Sequence, residues 1–173
     1  MLHRPSVAPD KPQIESAPQQ GAYQAPSVAS TAAHDNPHFA AVGGSTAVAE
    51  LVDRFYQHMD TLPEAAQIRS LHPPDLTPVK EVLRRYLTEW LGGPALYSVE
   101  RGHPRLRRRH LRFPIGAAER DAWMRCMSLA LNEVVSDPKL RQELTEAFFK
   151  TADFIRNDPD HTHHHHSTQE PSQ

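Results

Sequence analysis

Tyr97-Ser98-Val99-Glu100-Arg101-Gly102-His103-Pro104-Arg105-Leu106 runs straight into Arg107-Arg108-Arg109-His110, and the reading of this stretch decides the fold. Gly102, Pro104 and, just beyond it, Pro114 interrupt any long helix, so residues 95–114 read as irregular, with one or two helical turns open to residues 105–110. Six arginines fall between positions 101 and 112 (101, 105, 107, 108, 109 and 112), a local excess of positive charge that attracts carboxylates or phosphates.

On both sides of this stretch the pattern turns helical. Upstream, Leu76, Val79, Leu83, Tyr86, Leu87 and Trp90 form an apolar stripe, with Thr77-Pro78 as its N-cap and first helical residue and Gly92-Gly93-Pro94 as its stop. Before that, Ala65, Ile68 and Leu71 suggest a short helix that Pro73-Pro74 ends, since proline has no amide proton and clashes with the preceding turn. Val48, Leu51, Val52, Phe55 and Met59 share one face of an earlier helix, opened by Gly43-Gly44-Ser45-Thr46 with Ser or Thr as N-cap. Downstream, Trp123, Cys126, Met127, Ala130, Leu131 and Val134 make a stripe after Gly116, and Leu140, Leu144, Ala147, Phe148, Thr151 and Ile155 another after Asp137-Pro138. No segment alternates with period two long enough for a strand, so the domain is all-α over residues 43–157.

The 173-residue chain is long enough for one such domain plus tails. Residues 1–42 hold six of the 16 prolines and few large apolar side chains, too little burial to offset chain entropy, and read as a disordered tail. Residues 158–173 read as a second disordered tail with five histidines between 161 and 166, a loose chelator or an accidental tract rather than a specific metal site. Cys126 is the only cysteine, which excludes an internal disulfide and multi-cysteine metal sites and fits a reducing, cytoplasmic location; its apolar neighbours make it a small core residue. No stretch is apolar enough to span a membrane or to form a signal-peptide core, so no membrane partner is expected.

The stretch from Tyr97 to His110 resembles the group II truncated haemoglobins of the bacterial truncated globin family, which share an Arg-Gly-His-Pro-Arg-Leu segment ending in the iron-binding histidine. The similarity continues through Glu119-Arg120-Asp121-Ala122-Trp123-Met124-Arg125-Cys126-Met127 and is joined by Arg54-Phe55-Tyr56 and Trp90-Leu91-Gly92-Gly93-Pro94, in order and in spacing. It implies a two-over-two helical sandwich around haem b. It further implies His110 as the iron's protein ligand, with Tyr56, Trp123 and His72 as polar groups facing a bound diatomic ligand. Arg109 and Tyr97 would meet the haem propionates, Val79, Leu83, Tyr86 and Leu87 would line one side of the macrocycle, and Phe113 and Ile115 would pack beneath it. For the aromatic and aliphatic members of this set, plain core packing is the competing reading.

Two chemistries fit such a pocket: binding of oxygen, carbon monoxide or nitric oxide, or a redox enzyme turning over peroxide or nitric oxide, with a reductase of unspecified kind as partner. The reading favours a ligand-binding globin over a dedicated enzyme and leaves the oligomeric state open. The segment from Arg101 to Arg112 taken alone also suits a helical nucleic-acid-binding domain, but it lacks interleaved aromatics and a helix-turn-helix signature, and the formal net charge is -2, so nucleic acid is not expected.

Overall fold

The computed structural model describes residues 37–158, and every described element is helical. In chain order the helices are α1 (His38–Val42), α2 (Gly44–Thr61), α3 (Ala66–Ser70, entered through a 3-10 turn at Pro63–Ala65), α4 (Thr77–Trp90), α5 (Leu96–Arg101), α6 (Leu106–His110), α7 (Ala117–Val134) and α8 (Pro138–Ile155). Helix α2 packs on both α4 and α7, and α7 packs on α8, so the long helices form two stacked pairs, α2 with α4 and α7 with α8. This is the two-over-two sandwich that the resemblance implies.

The stripes read from sequence meet in one core. Val48, Leu51, Val52, Phe55 and Met59 of α2 face Cys126, Met127, Ala130 and Leu131 of α7, with Leu87, Leu144 and Phe148 closing the sides, all of them buried. Each fully buried Leu, Met or Phe contributes about 1.5–3 kcal/mol. Val79, Leu83 and Tyr86 lie against this core yet stay half-buried, an apolar strip on α4 that the protein itself does not cover.

Several boundaries differ from the sequence reading, each for a physical reason. Residues 38–42, read as part of a disordered tail, form helix α1 instead, because Val42 is buried and the Phe39 amide donates to the Leu91 carbonyl at 2.8 Å, pinning α1 to the end of α4. The expectation for the remainder of 1–42, and that for 159–173 with its histidine cluster, lies outside the described residues. Neither Ser45 nor Thr46 caps α2: Gly43, at φ 110°, ends α1 and caps α2, and Gly44, at φ 69°, follows it, two left-handed steps that a side chain would strain. At α4 the cap lies one residue earlier than expected, at Leu76, and Thr77 and Pro78 are already helical, with the Asp75 carboxylate accepting from the Thr77 amide at 2.9 Å.

Helix α5 has no local signal, because its cap comes from another helix. One oxygen of Glu89, on α4, accepts from the amides of Tyr97 at 2.9 Å and Ser98 at 2.8 Å, satisfying two donors at the start of α5. Asp137 caps α8 in the ordinary way, accepting from the Lys139 amide at 2.9 Å with Pro138 as the first helical residue.

Two tests of this scaffold follow. A Cβ added at Gly93 would lie 2.7 Å from the Thr88 carbonyl oxygen and 2.8 Å from the Phe39 ring, so Gly93→Ala should cost about 1–3 kcal/mol in urea unfolding. A chain starting at residue 37 should keep the parent's unfolding midpoint, whereas one starting at residue 43 should lose about 2 kcal/mol or more with the α1 contacts. Equal midpoints for the two truncations would refute the role given to α1.

Candidate functional site

Helix α6 is a single short turn held between Gly102, Pro104 and the residues after His110, and it packs on α8. Its last residue, His110, is half-buried, and its Nδ1 lies 2.7 Å from the Leu106 carbonyl oxygen. A carbonyl can only accept, so Nδ1 donates, and in the neutral ring Nε2 then keeps its lone pair, the form of imidazole that binds a metal.

The loop after His110 is clasped from the end of α8. The Asn157 side-chain amide donates to the His110 carbonyl at 3.0 Å, its Oδ1 accepts from the Ile115 amide at 3.2 Å, and its own amide donates to the Ile115 carbonyl at 3.0 Å. Sequence reasoning missed this residue, since nothing in the pattern at the end of the last stripe marks Asn157 as a staple 47 positions from His110.

On α2, Tyr56 is only 4 % exposed, and burial pushes its hydroxyl pKa up to about 12, partly opposed by the charge of Arg69. Its ring meets that of His72 edge-on at 5.7 Å. The Nδ1 of His72 donates to the Ile68 carbonyl at 2.8 Å, so this imidazole too presents Nε2. Burial lowers the His72 pKa, the Ile68 hydrogen bond opposes this, and the Arg69 and His110 charges add to the lowering, which keeps the ring neutral at pH 7. Trp123 reaches the group through Phe55, whose ring lies 4.9 Å from Tyr56 and 5.1 Å from Trp123. Phe55, read from sequence as core, is thus the spacer that sets the distance between two of the polar aromatics.

A third cluster joins α4, α5 and α6. The Tyr86 and Tyr97 rings meet edge-on at 5.6 Å, and the Arg109 guanidinium lies 5.8 Å from the centre of the Tyr97 ring. Arg109 also donates to the Pro104 carbonyl at 2.9 Å, which fixes its stem. Burial, with Tyr97 and Glu89 adding to it, pushes the Tyr86 hydroxyl up to about 12. Of the predicted apolar lining, Val79 and Leu83 remain half-buried beside Tyr86, whereas Leu87, 1 % exposed, is turned wholly into the core. Phe113 is half-buried under the Arg112 guanidinium at 4.9 Å, and Ile115 is held by Asn157.

These groups suit a haem: an imidazole whose Nδ1 is committed to the Leu106 carbonyl and whose Nε2 is left for a metal, a half-exposed apolar strip on α4 and an arginine–tyrosine pair at its edge. The model of the bacterial-like globin family matches residues 38–157. The chain is a bacterial-like globin. It falls in the group II truncated branch, and membership implies a haem-iron cofactor.

The globin is 40% identical over 101 residues to the group 2 truncated hemoglobin YjbI of Bacillus subtilis, covering 58% of this chain and 74% of that protein. Among solved structures it is similar to the group II 2-on-2 hemoglobin of Agrobacterium tumefaciens, at 43% identity and a TM-score of 0.68 over 70% of this chain and 94% of that one. It is also similar to the group II truncated hemoglobin of Bacillus anthracis, at 37% identity and a TM-score of 0.65 over 70% and 97% of the two chains. Among the described residues, no helix of the globin is long and apolar enough to cross a membrane.

Proposed function

We propose that this globin holds its haem iron through Nε2 of His110 and binds oxygen or another diatomic ligand on the side of Tyr56, His72 and Trp123. The observation that carries the reading is the bond from Nδ1–H of His110 to the Leu106 carbonyl, which fixes the tautomer, orients the ring and raises the basicity of Nε2. When bound, haem iron supplies the Lewis-acidic centre on which a diatomic ligand gains partial negative charge.

Every other contribution is the chain's own. Tyr56 keeps its proton at any physiological pH and donates it toward that charge, and the Trp123 indole N–H is a second donor. His72, neutral and with Nε2 unprotonated, accepts from a water on that side of the pocket and packs edge-on against the Tyr56 ring, leaving the single Tyr56 proton for the ligand. Val79 has no hydrogen-bonding group, so the stabilising donors come from α2 and α7. Arg109 with Tyr97 anchors the carboxylate edge of the haem, and the strip of Val79, Leu83 and Tyr86 lies against its apolar face.

A donor of electrons keeps the iron ferrous. Cys126, buried and with its thiol pKa pushed up to about 11 chiefly by burial, takes no part in that chemistry and suits a reducing compartment such as the cytoplasm. The proposal is tested by mixing the oxygenated protein with carbon monoxide and, separately, the ferric protein with peroxide. Slow oxygen release with negligible peroxide turnover supports ligand binding. Rapid peroxide or nitric oxide consumption by catalytic amounts of protein assigns the site to redox catalysis instead.

A further inference from the structure

We propose that the outer face formed by α5, α6 and the end of α8 is a docking surface for an acidic electron-carrier protein, which reduces the iron from the His110 side. The inference rests on His110 as the iron ligand.

The arginines of this face are paired differently from most of those elsewhere in the protein. Elsewhere in the described residues most meet carboxylates: Arg54 with Glu133 at 3.3 Å, Arg69 with Asp60, Arg84 and Arg85 with Glu81, Arg120 with Asp153, and Arg125 with Glu64, while Arg141 donates to the Val135 carbonyl at 2.8 Å. Along α5, α6 and the residues beside them only Arg101 has such a partner, Glu100 at 3.5 Å, whereas Arg105, Arg107, Arg108 and Arg112, with Arg109 set aside for the haem carboxylates, are exposed with no carboxylate in ion-pair range among the described residues. A chain of formal net charge -2 therefore carries a concentrated positive face beside its iron ligand.

Backbone geometry at this face is also costly. Arg105 sits at φ 44°, where glycine loses nothing and an arginine pays about 1 kcal/mol or more.

Exposed apolar side chains stand among the arginines. Val99 is 85% exposed, Leu111 61% and Phe154 62%, with the Arg107 guanidinium 6.0 Å above the Phe154 ring and donating to the Phe154 carbonyl at 3.4 Å. Aliphatic and aromatic groups set among arginines are the composition of a protein–protein interface, whereas a nucleic-acid interface is more uniformly polar. The matching partner presents carboxylates around an apolar centre. The step is a single-electron transfer: the partner's reduced iron–sulfur or flavin centre loses one electron, ferric iron becomes ferrous, and no bond to a protein group is made or broken.

The experiment uses the haem-loaded full chain and a dithionite-free, reduced plant-type ferredoxin as the acidic donor, followed by anaerobic stopped flow. The expected result is a second-order rate that falls as ionic strength rises from about 20 mM to about 300 mM. At low salt it should be about 10-fold slower in R108E/R112E, with the ferric spectrum and the rate of reduction by dithionite alone unchanged. R125E, a reversal of equal sign away from this face, should match the parent. A rate independent of salt, or an equal loss in R125E, overturns the proposal, as does loss of binding to random duplex DNA with the ferredoxin rate unchanged. If R108E/R112E shows an altered ferric spectrum, R108Q/R112Q replaces it under the same criteria. Failure of the parent to take up haem contradicts the His110 reading itself, a result visible before any ferredoxin is added.

Discussion

In His110→Gly, haem affinity falls by about 100-fold or more, and free imidazole restores a parent-like absorption band. The prediction follows from the directional nature of the axial bond: the apolar strip of Val79, Leu83 and Tyr86 still attracts a macrocycle, but only an imidazole nitrogen fixes the iron. Loss of even an outer partner of a metal ligand typically costs 10–100-fold in affinity, so losing the ligand itself should exceed that range. Imidazole rescue separates ligation from a mere fault in folding. A variant that loads haem stoichiometrically with an unchanged spectrum would exclude His110.

The second large effect is expected at Tyr56. Tyr56→Phe removes one hydroxyl from a position 4 % exposed and leaves the ring packed against Phe55 and His72. A donor to a partly charged ligand in such a place is worth about 1–3 kcal/mol, so oxygen should leave about 10–100-fold faster, while the thermal midpoint changes little. The pH dependence has a definite sign. Burial raises the Tyr56 pKa to about 12, so the proton is still present at pH 10, where an unperturbed phenol would be half ionised, and release should be flat from pH 7 to about 10. Release accelerating with a midpoint near pH 10 would show that Tyr56 is open to solvent and does not carry the hydrogen bond.

Much of this protein was legible before any coordinates, for reasons that differ along the chain. The stripes of α2, α4, α7 and α8 are long, periodic and bounded by glycine or proline, so burial alone dictates them. The site residues became legible only through the resemblance around His110; helical period gives no reason to prefer Tyr56 over Phe55, its neighbour in the same helix. What stayed hidden depends on groups distant in sequence. The Glu89 cap of α5, the Phe39 tie to Leu91 and the Asn157 clasp on the His110 loop are each made by one side chain or amide meeting a backbone brought near by folding. Local pattern holds no trace of such contacts, and the two short helices flanking Gly102 depend on them.

The most direct test of the central claim is an absorption titration of the purified chain with haem, followed by dithionite reduction, with and without carbon monoxide. The account predicts one haem taken up per chain and a sharp band that shifts when carbon monoxide is added, showing an iron held by one protein ligand and open on the side of Tyr56. A chain that takes up no haem, or takes it up without a defined stoichiometry and with no shift, would contradict it.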